Sequence, residues 1–82
     1  MMMNEKELKA YRRAYYDNQK AQTAYSQLHT YVMTNPEYRM LTPKQRQNVD
    51  KELQKRRMTC HKTVAKYNAV CNKYGVVPGS VL

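Results

Sequence analysis

A chain of 82 residues has room for at most one small domain. Fifteen Lys and Arg against six Asp and Glu give a net charge of +9 at pH 7, a field that favours anionic partners and repels like molecules. No apolar run reaches the length of a membrane span and the N-terminus has no apolar signal core. A cytoplasmic protein without a membrane role is therefore expected.

Residues 5–33 contain neither Gly nor Pro, and Leu8, Tyr11, Ala14, Tyr15, Asn18, Ala21, Tyr25, Leu28 and Val32 recur at three- and four-residue steps. That spacing predicts a helix with a thin apolar stripe, because Ala, Asn and Tyr fill much of it. Glu5 and Glu7 stand at its start, where the helix dipole favours acids. The helix should stop near Thr34, since Asn35 precedes Pro36 and is pushed out of the helical region.

Residues 34–42 are expected to form a loop. Thr42-Pro43-Lys44-Gln45 then reads as a helix start: Thr42 caps, Pro43 takes the first helical position, and Gln45 reaches back to complete a capping box. The second long helix should run from 43 to 74, with Gly75 as terminator, Pro78-Gly79 barring resumption, and 75–82 as a tail. Its stripe holds Val49, Leu53, Cys60, Val64, Tyr67, Cys71 and Tyr74, interrupted where Arg56 and Arg57 replace an apolar step.

The fold class these elements define is all-α: a two-helix antiparallel hairpin joined by a short loop. Two helices alone cannot enclose a core, so a dimeric four-helix bundle, or a larger homo-oligomer, is expected. Leu8, Tyr11, Tyr15, Tyr25 and Leu28 of the first helix, with Val49, Leu53, Cys60, Val64 and Tyr67 of the second, are the residues expected at the contact between copies. Cys60 and Cys71 are eleven residues apart, about 16 Å along a helix, too far to bond to each other. The simplest reading is two reduced, buried thiols, the alternative being a disulfide between copies.

Charge in the second half is arranged, not scattered. From Thr42 onward nine basic residues meet two acidic ones, and before it six meet four. Lys44, Lys51, Lys55, Lys62, Lys66 and Lys73 are separated by seven, four, seven, four and seven residues. On a helix all six fall within a sector of roughly 60°, on a line about 44 Å long. A charge run is usually a solvated helix face. Here, though, Lys51–Lys55 and Lys62–Lys66 are like-charge pairs at the four-residue spacing, a small penalty that an external anion would offset.

Lysine contacts phosphate as a flexible point charge without reading sequence. Arg12, Arg13, Arg56 and Arg57 would add forked contacts, as would Arg39 and Arg46. Of eight tyrosines, Tyr16, Tyr31 and Tyr38 lie off the apolar stripes and are candidates for stacking on a base or packing at an interface, with Arg12, Arg13 and Lys20 near Tyr16. The others read as core. His29 and His61 have no companions at metal-ligand spacing, and Cys60-His61 point different ways on a helix. No metal, no cofactor and no catalysis are expected.

Tyr67-Asn68, Cys71 and Tyr74 reproduce much of the Y-N-x-x-V-x-x-Y-N signature of LemA-like proteins, which this half of the chain resembles. Val77-Pro78-Gly79 stands where that family has Phe-Pro, and Asn35-Pro36-Glu37-Tyr38 is similar to the turn before its long helix. Over about forty-five residues the resemblance implies antiparallel helices in a bundle and no known catalysis. Gly75 replaces the family's second Asn and Val77 its Phe, the stretch before the proline is shorter, and the N-terminal anchor has no counterpart, so no membrane role carries over.

Two functional expectations follow. One is a non-enzymatic basic helical protein that engages nucleic acid or a phosphorylated nucleotide-type ligand through its lysine line, in an accessory or inhibitory role of the kind phages and mobile elements use. The other is an assembly or adaptor protein that docks on a larger complex through its apolar stripe, the arginine break setting register.

Overall fold

The structure is a computed structural model and describes residues 4–77. It contains three helices in the order α1 (Glu5–Thr34), α2 (Pro36–Met40) and α3 (Pro43–Tyr74). The described residues are all-helical, as the sequence implies. Pro78-Gly79 and the rest of the tail lie outside them.

Local chemistry sets the ends. Asn4 Oδ1 accepts the Glu7 backbone N–H at 2.8 Å while Glu7 Oε1 accepts the Asn4 N–H at 3.2 Å, a closed capping box. Thr42 and Gln45 form a second, at 3.2 and 2.9 Å. Gly75, at φ 66°, takes the left-handed conformation that ends α3. The Val76 N–H then reaches back to the Cys71 carbonyl at 2.8 Å, and Val76 folds onto the core.

The expected 34–42 loop is in part a helix. Asn35 closes α1 by donating its N–H to the Tyr31 carbonyl at 3.0 Å, and its Oδ1 accepts the Glu37 N–H at 2.9 Å to open α2. Pro36 occupies the first position of this short helix. Tyr38 ties it down on both sides. Its ring meets Tyr31 edge-on at 6.3 Å, and its hydroxyl donates to Asp50 Oδ1 at 2.8 Å. Tyr31 and Tyr38 are thus half-buried packing residues, not free stacking surfaces.

The long helices lie along each other for most of their length. Partners rise along α1 as they fall along α3: Tyr11 meets Tyr67, Asn18 meets Thr63, Ala21 meets Cys60 and Ala24 meets Arg56. A 32-residue helix is about 48 Å long, and the molecule is a rod of 54 × 18 × 16 Å. Its radius of gyration is 16.8 Å, where a compact chain of this length would have roughly 12 Å.

The core is correspondingly narrow. Tyr11, Ala14, Tyr67 and Cys71 form its main cluster, with Tyr15, Val70 and Val76 packed around it. Tyr11 and Cys71 are 0% exposed, so a single chain does enclose some of its own side chains. This corrects part of the expected contact between copies: Tyr11, Cys60 and Tyr67 are covered by packing of α1 against α3 and present little surface to a second molecule. Leu8, Tyr15, Tyr25, Leu28, Val49, Leu53 and Val64 remain half-buried. Both cysteines are free and buried, and Cys60 Sγ donates to the Ala21 carbonyl at 3.2 Å.

Candidate anion-binding face

Regular helical spacing along α3 places the lysines in a row. All six, Lys44 through Lys73, are exposed. Among the described residues no carboxylate lies within ion-pairing distance of any of them, and the one ion pair on α3 joins Arg56 to Glu52. Lys73 Nζ sits 5.6 Å from the centre of the Tyr74 ring, a cation–π distance.

The row does not lie wholly on the side away from α1. Lys62 and Lys66, with Lys20 of α1, border a depression of about 460 Å³ along the seam between the long helices. Its floor is Ala14, Ala21 and Ala24, with Thr59 and Thr63 on the α3 side and Asp17 on the α1 side. A hollow of about 140 Å³ continues it past Lys55 and Arg56, and one of about 420 Å³ extends it past Arg13, Lys66 and Val70. Together these make one groove, small-residue at the base, with Arg13 and Lys20 along the α1 rim and Lys55, Lys62 and Lys66 along the α3 rim, interrupted by Asp17 on the first and Glu52 on the second.

Other candidates fall into different surroundings. Arg13 joins the groove through its shared hollow with Lys66. Arg12 is exposed on α1, one position and about 100° of rotation from Arg13. Arg57 is exposed too, but about 200° around the helix from Lys55, so it does not extend the lysine row. Tyr16 is 69% exposed, edge-on to Tyr15, beside a shallow hollow with Asp17 and Lys20.

Arg56 departs from the expected role. Its Nη1 donates to the Ala24 carbonyl of α1 at 2.9 Å, and its Nε donates to Glu52 Oε1 at 3.1 Å. The guanidinium is occupied in joining helices, so it is a poor anion ligand as it stands. The arginine that interrupts the apolar stripe is a cross-brace between α1 and α3.

Lys20 and the alanine floor belong to this site although the helical spacing of the lysines does not point to them. Ala14, Ala21 and Ala24, at separations of seven and three, carry the signal of a close-packed helix face. Which basic residues flank that face depends on how α3 is placed beside it. No group of three or more His, Cys, Asp or Glu that could hold a metal occurs among the described residues, and none of their helices is long and apolar enough to cross a membrane.

No protein-family model matches the chain, and no curated protein or solved structure is significantly similar to it. The likeness to LemA-like proteins rests on the residues quoted for it alone.

Proposed function

We propose that this is a non-catalytic binding protein whose α3 lysine row engages an anionic partner, nucleic acid or a phosphorylated ligand being the chemistry the spacing suits. The observation that carries the reading is the set of six exposed lysines in one row, none matched by a carboxylate among the described residues. Like charges four residues apart weaken an isolated helix slightly, so an external anion is what makes the arrangement favourable. Binding through such a row is sequence-independent and steeply salt-dependent.

On this reading the long helices form an antiparallel hairpin that assembles into a dimeric four-helix bundle or a larger oligomer. The reversed order of cross-helix partners supports the hairpin. The half-buried Leu8, Leu28, Val49, Leu53 and Val64 support assembly, because a second copy would complete their burial. A resemblance to LemA-like bundles is compatible with this architecture.

A second reading, an adaptor docking through apolar surface, is favoured by Met33 and Met40. They are 66% and 84% exposed at the junction of α1, α2 and α3.

Retention on a heparin resin, compared between the wild-type protein and a variant with Lys51, Lys55, Lys62 and Lys66 all changed to Gln, tests the first reading. The wild type should stay bound beyond about 0.3 M salt and the variant should elute early with its helicity intact. Equal elution would overturn it. For the assembly, Leu53→Asp should convert an oligomer into a monomer by light scattering, and an unchanged mass would count against the bundle.

A further inference from the structure

The groove between α1 and α3 points to a more specific occupant than a generic anion. We propose that it receives an acidic amphipathic helix of a partner protein, a reading that rests on the lysine row meeting an anionic partner. Three features of the groove carry the choice.

The first is shape. From Glu52 to Val70 the groove follows eighteen residues of α3, roughly 27 Å, the length of a five-turn helix. Its floor of Ala14, Ala21 and Ala24 lets another helix axis come within the 8–10 Å at which helices pack. The second is charge. Lys20 on one rim faces Lys62 and Lys66 on the other, so an occupant with acids on both flanks and a small apolar ridge between them is complementary. The third is periodicity. Lys55 and Lys66, both on the groove, are eleven residues apart. Eleven residues are close to three helical turns, so a parallel acidic row on a second helix would stay in register.

Other occupants fit less well. A second copy brings the same +9 charge to a rim that is already cationic. A duplex satisfies the lysines but has no apolar ridge for the alanine floor. Asp17 and Glu52 also line the groove; Asp17 repels an acid at its own level and fixes the register of the incoming helix, while Glu52 is paired with Arg56 at the groove's end.

The test is fluorescence anisotropy on the full chain with three labelled probes at low salt. The first is a synthetic helical peptide of about twenty residues with Glu at alternating seven- and four-residue steps flanking an alanine ridge. The second is the same composition scrambled, and the third is a DNA duplex. The ordered peptide should bind about tenfold more tightly than the scrambled one. Ala24→Leu, and separately the exposed Thr59→Leu, should erase that preference by filling the groove without changing a charge, with circular dichroism showing helix content retained. Equal binding of the two peptides, or a preference that survives both substitutions, overturns the inference. If the duplex binds while the peptides are indistinguishable, the acidic helix falls and the anionic-partner reading stands. If none of the three binds, the acidic helix falls and nucleic acid falls with it as the partner of the lysine row.

Discussion

Arg56 of α3 and the Ala24 carbonyl of α1 are joined by a 2.9 Å hydrogen bond across the helix interface. Ala24 also floors the seam groove, so the brace and the groove share a wall. The arginine ties the two helices together at the level of Ala24.

Replacing Arg56 with Met should keep the side chain's apolar contacts and delete the bond from its charged donor. The expected loss is about 1.5–3 kcal/mol, a fall in melting temperature of roughly 6–24 °C for a chain this size. Glu52→Gln should cost much less, because the Arg56–Glu52 pair is partly exposed. Urea melts of both variants check the order, and equal losses would mean the cross-helix bond contributes little.

Tyr11 and Tyr67 bring their hydroxyls within 3.0 Å in the core, their ring centres 5.7 Å apart. Tyr67→Phe leaves the fully buried Tyr11 hydroxyl without this partner, at a cost of about 1–3 kcal/mol. Adding Tyr11→Phe should recover part of that loss. A double variant as unstable as the sum of the singles would show the two hydroxyls to be energetically independent.

Tyr38 titrates above the ordinary tyrosine range. The hydrogen bond it donates to Asp50 is the main cause, followed by lost hydration and the Asp50 charge, while Arg46 pulls the other way. A raised value means its contribution is complete below the tyrosine range and is lost as pH climbs through Tyr38's own titration, above about 10. Asp50→Asn should therefore flatten the alkaline end of the stability–pH curve and shift part of the tyrosinate absorbance to lower pH. Superimposable curves for the two proteins would contradict this.

Duplex DNA, used simply as a polyanion, should show log affinity falling linearly with log salt. Each lysine of the row changed to Gln should lower the slope by about 0.9 if it contacts a phosphate. Arg57→Gln, on a different side of α3, should leave the slope unchanged. Equal effects at Lys62 and Arg57 would indicate diffuse charge attraction, not a defined face.

Much of the fold is legible in the sequence because helix ends are written locally. The Thr42–Gln45 box, Pro43 and the Gly75 terminator each need only a few neighbouring residues. The same grammar stands at Asn35-Pro36-Glu37, yet reading that stretch as a loop misses α2, since one helical turn has no periodicity to add to its cap. The lysine row is legible for the same reason as the helix. The groove is not, because it belongs to neither helix alone: Lys20, forty-two residues before Lys62, meets it only through the packing of α1 on α3. Arg56 looks like a gap in a stripe until the carbonyl it reaches is placed beside it.

The core is not spread evenly along the rod. Tyr11, Ala14, Tyr67 and Cys71 cluster where the beginning of α1 lies beside the end of α3, and Val76 closes over them. Toward the α1–α2 junction, Leu28, Val49 and Leu53 are only partly covered. The molecule is thus clamped by its core at the open end of the helix pair, while the end joined by α2 relies on the chain connection, Tyr38 and thinner apolar packing. Breathing should begin where that packing is thinnest, so hydrogen exchange would be fastest around α2 and slowest beside Cys71.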